Sequence, residues 1–239
     1  MTDLANLKVK IFADGADKAG IIDIGKHPLI KGFTTNPTLM RKAGITDYEK
    51  FSREVLELIG GRPISFEVFA DDFSEMERQA RLITTWGKNV YVKIPVTNTK
   101  REKANATVER LSKDGIQLNV TALMTNDQVR EVSAALAGGP HSYISVFAGR
   151  VADTGRDPVP LMSEALKIMK QSAPKAELIW ASPRELLNIF HADSIGCHVI
   201  TVTNDILAKL KLVGKDLSDY SLETVQMFFK DGEASGFKL

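Results

Sequence analysis

The sequence predicts an α/β protein folded as a (β/α)8 (TIM) barrel, and three observations carry that prediction. Eight short runs of β-branched and aromatic residues recur along the chain. Stretches of helical periodicity lie between them. The whole series fits in 239 residues, with no linker, low-complexity tract or local repeat. Strict alternation of strand and helix implies parallel pairing through right-handed crossovers. Eight such units in this length match a closed barrel better than the alternative, an open doubly wound sheet. The chain is therefore read as one domain, residues 1–239, with a helical extension over 220–239.

The strand candidates are 8–14 (KVKIFAD), 31–37 (KGFTTNP), 63–68 (PISFEV), 90–96 (VYVKIPV), 117–122 (QLNVTA), 143–148 (YISVFA), 176–182 (AELIWAS) and 197–203 (CHVITVT). Helix boundaries are legible where capping residues stand. Thr46 or Asp47 opens one helix that Gly60-Gly61 closes, and Asn126 opens another that Gly138-Gly139 closes. Residues 220–230 (YSLETVQMFFK) form an amphipathic segment with Leu222, Val225, Phe228 and Phe229 near one face. The residues that follow, 231–236, look flexible. Such a helix must cover its aromatics against its own barrel or against a neighbouring copy.

An apolar fraction of 44% suffices for a sizeable core, and 31 basic against 30 acidic residues leave a net charge of +1. No long-range field draws the surface toward a polyanion, so neither nucleic acid nor a membrane is expected as a partner. The start lacks a basic and apolar signal pattern, and no apolar run approaches the roughly 20 residues of a membrane span. The expectation is cytoplasmic residence. Cys197 has no partner for an intrachain disulfide and reads as a reduced core thiol. Trp86, Trp180, Met76, Met162 and Met169 read as packing residues. No GxGxxG follows a strand, and no GxxxxGK[ST] loop or GxSxG elbow occurs. His27, His141, His191 and His198 lack metal-ligand spacing, so neither a metal nor another cofactor is expected.

The phase of the strands carries the functional signal. In a barrel one side of each strand faces the helices and should be apolar, while the other faces the axis. Ile64, Phe66 and Val68 leave Ser65 and Glu67 pointing inward, and Val90, Val92, Ile94 and Val96 leave Tyr91, Lys93 and Pro95. The same parity frees Asp14, Asn119, Thr121, Ser145 and Phe147, and puts Thr34 in phase with Asn36. Charged and polar side chains converging near strand ends are costly in a barrel interior unless used. Lys93, flanked by Val92, Ile94 and Pro95, should be desolvated, which disfavours the ammonium and leaves an amine able to attack carbonyls. A buried ion pair with Glu67 or Asp14 is the competing account, and parity alone leaves both open.

At Thr34-Thr35-Asn36-Pro37-Thr38, Val92-Lys93-Ile94-Pro95, Asn119-Val120-Thr121 and Gly149-Arg150-Val151-Ala152-Asp153, four motifs in order, the chain resembles the transaldolases. The likeness is to their short-chain group, which also contains the fructose-6-phosphate aldolases, and runs from about residue 8 to about 230. The resemblance implies a lysine Schiff base at Lys93 and transfer of a dihydroxyacetone unit from a ketose phosphate to an aldose, as in the pentose phosphate pathway. It further implies that Asp14 is the base on the donor C4 hydroxyl, and that Glu67 and Thr121 work through a water on the carbinolamine. Thr34, Asn36, Asn119 and Ser145 would orient hydroxyls, and Arg150, Ser182 and Arg184 would bind phosphate. The short transaldolases exchange their terminal helices, which implies a homo-oligomer of closed or stacked rings.

Within the family, Glu67 and Phe147 match transaldolases, where the fructose-6-phosphate aldolases carry Gln and Tyr. A phenol at 147 could hold the catalytic water and protonate the enamine, whereas phenylalanine leaves the enamine for an aldehyde acceptor. Gly15, Val146 and Pro183 depart from the family pattern beside the site, which keeps transfer on another anionic sugar, such as a sulfonated one, as an alternative; a fructose-6-phosphate aldolase-type lyase is a further one. A barrel that binds phosphosugars without chemistry is the reading from a different functional class.

Overall fold

The structure is a computed structural model that describes residues 4–238; residues 1–3 and 239, the ends of the expected domain, lie outside the described residues. After a short 3-10 turn (Leu4–Asn6), the chain runs β1 (Lys10–Asp14), α1 (Lys18–Gly25), β2 (Ile30–Thr34), α2 (Pro37–Lys42), α3 (Tyr48–Leu58), β3 (Ile64–Glu67) and α4 (Phe73–Thr84). It continues through β4 (Val90–Pro95), α5 (Asn105–Lys113), β5 (Leu118–Leu123), α6 (Asn126–Ala135), β6 (Ser142–Val146), α7 (Ala148–Ala152) and α8 (Pro158–Ser172). β7 (Ala176–Trp180), α9 (Leu187–Ser194), β8 (Val199–Thr203), α10 (Asn204–Leu207), a 3-10 turn (Ala208–Leu212) and α11 (Leu217–Ser235) complete it. All eight strands pair in parallel, and β1 bonds both β2 and β8 to close the barrel.

Caps explain where several helices begin. Asp47 accepts from the Lys50 amide at the start of α3, and Asp72 does the same for Ser74 and Glu75 at α4. At α6 the cap is Thr125, one residue before the expected Asn126, because Thr125 and Gln128 form a reciprocal capping box.

Strand parity separates two cores. Ile64, Phe66, Val92, Ile94, Leu118, Val120, Ile144 and Val146 pack outward in the large core between sheet and helices. A second, small core fills the barrel axis with Phe12, Tyr91, Tyr143, Ile179, Ala181 and Val199, and Phe147 packs against it from above. Phe12 can lie across the axis because residue 32 is glycine. A Cβ there would fall 2.6 Å from the Phe12 ring.

Below the aromatic layer a polar cluster closes the base. Lys10 Nζ donates to Glu177 at 2.6 Å, His141 Nε2 lies 3.5 Å from the same carboxylate, and Tyr91 Oη and His141 Nδ1 are 2.9 Å apart. Burial pushes the Glu177 carboxyl up, but hydrogen bonds from His141 and Lys10 together with their charges outweigh it and lower it to about 2. Cys197 is buried, and burial pushes its thiol up to about 12. Trp180 and the three methionines named above pack as expected.

Two expectations need correction. The second strand ends at Thr34, so Asn36 is not a strand residue: its side chain caps α2 by accepting from the Leu39 amide at 3.0 Å, with Pro37 in the first turn. The terminal helix does not stop near residue 230 but runs through Gly232 to Ser235, where Gly236 closes it at φ 68°. None of its residues is buried. Leu222, Val225, Phe228 and Phe229 are 56–66% exposed, so the helix does not fold its aromatics onto its own barrel. Among the described residues no helix is long and apolar enough to cross a membrane.

Candidate active site

The register of the parallel strands brings the inward polar residues to one level. Asp14 pairs with Thr34 and Thr203, Glu67 with Lys93, Lys93 with Asn119, and Pro95 with Thr121. Because side chains alternate, residues in register on adjacent strands point the same way. Above this level a cavity of about 640 Å³ opens at the C-terminal end of the barrel. Asp14, Thr34, Asn36, Glu67, Lys93 and Thr121 line its depth, and Ser145, Phe147, Arg150, Ser182 and Arg184 line the side formed by β6 and β7.

Lys93 is 7% exposed. Its Nζ lies 3.2 Å from Glu67 Oε2 and donates to the Thr35 carbonyl at 3.2 Å. The ion pair left open by parity is therefore present, and its partner is Glu67. The Glu67 backbone is fixed in turn by Tyr48, whose hydroxyl donates to its carbonyl at 3.0 Å.

Asp14 is held separately. Thr34 Oγ1 donates to Asp14 Oδ1 at 2.7 Å and also meets Thr201 Oγ1 from β8. Burial raises the Asp14 carboxyl above its ordinary 3.8, and the Lys93 charge and the Thr34 hydrogen bond only partly oppose this. The two carboxylates of the cavity thus differ in environment: Glu67 faces the ammonium and Asp14 a hydroxyl.

Thr121 Oγ1 is buried on the cavity wall with no hydrogen-bond partner, an orphaned group of the kind that binds a water or ligand. The next residue, Ala122, adopts φ 66° where the β5–β6 register shifts, so a bulge with a left-handed alanine shapes this wall. Asn119 is the one expected site residue that does not reach the cavity. It is fully buried, donating to Ser65 Oγ at 2.9 Å and accepting from Ser145 Oγ at 2.7 Å. Its place is behind Ser145.

At the mouth, the Arg150 guanidinium carbon lies 5.4 Å from the Phe147 ring centroid. Ser182 has φ 56°, and its carbonyl packs so tightly on Gly149 that a Cβ there would sit 1.5 Å away. Arg184 pairs with Asp153, Nε to Oδ1 at 2.9 Å. Sequence reasoning missed Thr201, Thr35, Lys42 and this Asp153 contact. Thr201 was readable, since Val199, Thr201 and Thr203 alternate with Ile200 and Val202. Lys42 lines the cavity from α2, a six-residue helix without an amphipathic pattern long enough to detect. Among the described residues no group of three or more His, Cys, Asp or Glu side chains is placed to hold a metal.

A buried amine, two carboxylates in different environments and two guanidinium groups around one cavity at the C-terminal face of a (β/α)8 barrel have the arrangement of a barrel enzyme's active site. Residues 11–239 match the family described as Transaldolase/Fructose-6-phosphate aldolase, and the chain belongs to that family. It is 35% identical over 226 residues to a probable transaldolase 2 of Listeria monocytogenes, covering 95% of this chain and 97% of that protein. A probable transaldolase of Methanococcus maripaludis is 34% identical, covering 95% and 98%. Among solved structures, a putative lyase/mutase from Burkholderia cenocepacia superposes with a TM-score of 0.59 at 14% identity, over 95% of this chain and 86% of that one. Dihydrodipicolinate synthase from Rhodopseudomonas palustris gives 0.55 at 13%, over 81% and 69%. At such identities these two share the fold alone.

The raised Asp14 carboxyl has a measurable effect on stability. The folded protein binds this proton more tightly than the unfolded chain, whose aspartate keeps the ordinary 3.8. Raising the pH from 3.8 through the folded value therefore removes stability on this group's account. Asp14→Asn, an isostere of the protonated acid, should unfold at higher urea concentration than wild type at neutral pH. The gap should narrow as the pH falls into that window. A gap that is absent at neutral pH, or that widens on acidification, contradicts the assignment.

Proposed function

We propose that the protein is a Schiff-base transaldolase that moves a dihydroxyacetone unit between anionic sugars. The observation that carries this reading is the division of labour around Lys93: one carboxylate sits at 3.2 Å from its amine, and a second, with a raised carboxyl, is held apart by Thr34. Lys93 Nζ attacks the C2 carbonyl of a ketose phosphate to give a carbinolamine, and loss of water gives the iminium. Glu67 lies within reach to take and return the protons of these steps, with a water on the unpartnered Thr121 hydroxyl as relay. Asp14 removes the C4-hydroxyl proton as the C3–C4 bond breaks. The electron pair of that bond flows into the iminium, leaving an enamine on Lys93 and a free aldehyde. The reverse sequence on an acceptor aldose, followed by hydrolysis, returns the amine.

Thr34, Asn36 and Ser145 orient the hydroxyls of the three-carbon unit, with Asn119 supporting Ser145 from below. Arg150, Ser182 and Arg184 take the anionic end. Borohydride trapping tests the chemistry directly. Incubation with fructose 6-phosphate and sodium borohydride should leave a three-carbon adduct by intact mass, and Lys93→Ala should abolish it. Several phosphorylated and sulfonated ketoses leaving no adduct on folded protein would mean that the barrel binds without reacting.

Phe147 bears on the partition between transfer and cleavage. A phenylalanine beside the enamine has no proton to give, so the intermediate waits for an aldehyde. Phe147→Tyr should release more free dihydroxyacetone from the donor at unchanged adduct formation, measured by coupled reduction. No increase would sink the argument.

The exposed face of α11 supports an assembly in which this helix packs on another copy, giving a cyclic homo-oligomer. Light scattering should show an oligomer for the full chain at micromolar concentration and a smaller species after removal of residues 217–239. A monomeric full-length chain refutes the exchange.

A further inference from the structure

Arg184 is braced by a carboxylate that lies outside the cavity. The guanidinium lines the mouth, whereas Asp153, the cap residue after α7, is not part of the wall. The pair is two-pronged: Arg184 Nε donates to Asp153 Oδ1 at 2.9 Å and Nη2 donates to Oδ2. This fork uses Nε and one hydrogen of Nη2, so both Nη1 hydrogens and the second Nη2 hydrogen remain for a ligand.

The backbone beneath is fixed as well. The Arg184 amide donates to Asn188 Oδ1 at 2.8 Å, the Gly149 amide donates to the Ala181 carbonyl at 3.3 Å, and the Ser182 carbonyl fills the space over Gly149. The loops after β6 and β7 are thereby locked to each other, and the Asp153–Arg184 pair is their side-chain tie. Half of the Arg184 side chain is exposed, so without this tie the long arm would sample many rotamers. The hydrogen bond from Arg184 also holds the Asp153 carboxyl below its ordinary range.

We propose that Asp153 is a positioning residue: by holding the Arg184 guanidinium from behind, it sets the affinity for the anionic end of the ligand without touching that ligand. The inference rests on the function proposed above only in taking that end to belong to an anionic sugar. It assigns the carboxylate a part in selecting phosphorylated over unphosphorylated donors.

The test compares wild type with Asp153→Asn, Asp153→Ala and Asp153→Glu in the full chain. Two measurements are made on each: transfer kinetics with fructose 6-phosphate and with unphosphorylated fructose as donor, and calorimetric binding of inorganic phosphate. For Asn and Ala, KM for fructose 6-phosphate and Kd for phosphate should rise about tenfold, the loss of roughly one charge-assisted contact, while kcat changes less than about twofold. KM for the unphosphorylated donor should stay as in wild type, and Glu should recover part of the loss. A merely structural role would move both donors together. Variants that bind phosphate as tightly as wild type, or more tightly, overturn the proposal, because Asp153 would then compete with the ligand for the guanidinium. Phosphate binding weakened as expected in a protein that transfers nothing and traps no ketose would support the brace and reject the transaldolase reading.

Discussion

A lysine and a glutamate in register on adjacent parallel strands, both aimed at the barrel axis, are the constraint on which the rest of this structure turns. Two charges cannot be withdrawn from water separately at that depth, and their mutual attraction repays desolvation only when the geometry is good and spare hydrogen-bonding capacity is met. Here the β3–β4 register fixes the separation, the Thr35 carbonyl accepts a further hydrogen bond from Lys93, and Tyr48 pins the glutamate backbone. Asp14 must then be satisfied elsewhere, which Thr34 accomplishes from β2, its hydroxyl bonded in turn to Thr201 of β8. Polar content at the top of the barrel is matched by an aromatic layer beneath it and an ionic closure at the base.

Much of this was legible in the sequence, for a physical reason. Where helices cover a closed barrel, the outward-facing strand residues must be apolar, so the remaining positions announce themselves; Lys93, Glu67, Asp14, Thr121 and Ser145 read as inward on that ground alone. Parity cannot tell a polar residue that meets a cavity from one that serves its neighbours, and so it does not separate Asn119 from the cavity-lining groups that it only supports. Asn36 was drawn into the second strand because a capping residue is itself extended, with φ −155°, and continues the strand pattern until the helix begins. The left-handed backbone at Ala122 and Ser182 left no mark, since neither is glycine. Gly232 misled in the opposite sense, being carried inside a long helix.

The segments after β6 and β7 show a different kind of information. Arg150 sits in the five-residue α7 and Ser182 and Arg184 on the connection after β7, segments too short for periodicity to mark, and only the likeness to the transaldolases singles them out. Their geometry depends on contacts between two loops that are far apart in sequence, Gly149 against Ser182 and Asp153 against Arg184. The distantly similar barrels, at 13–14% identity, share the strands and helices but carry no information about such loops.

Phe12 lies flat over the space that Gly32 leaves free, and it forms part of the layer on which the cavity rests. That makes it a depth stop. Enlarging residue 32 would force the ring out of its place, since a Cβ there falls 2.6 Å from it, and shrinking residue 12 would leave a void in the axial core. Enlargement of the cavity therefore has little freedom downward and must work sideways, through the loops at the rim, where chain length and side-chain choice are not tied to the packing of the barrel axis.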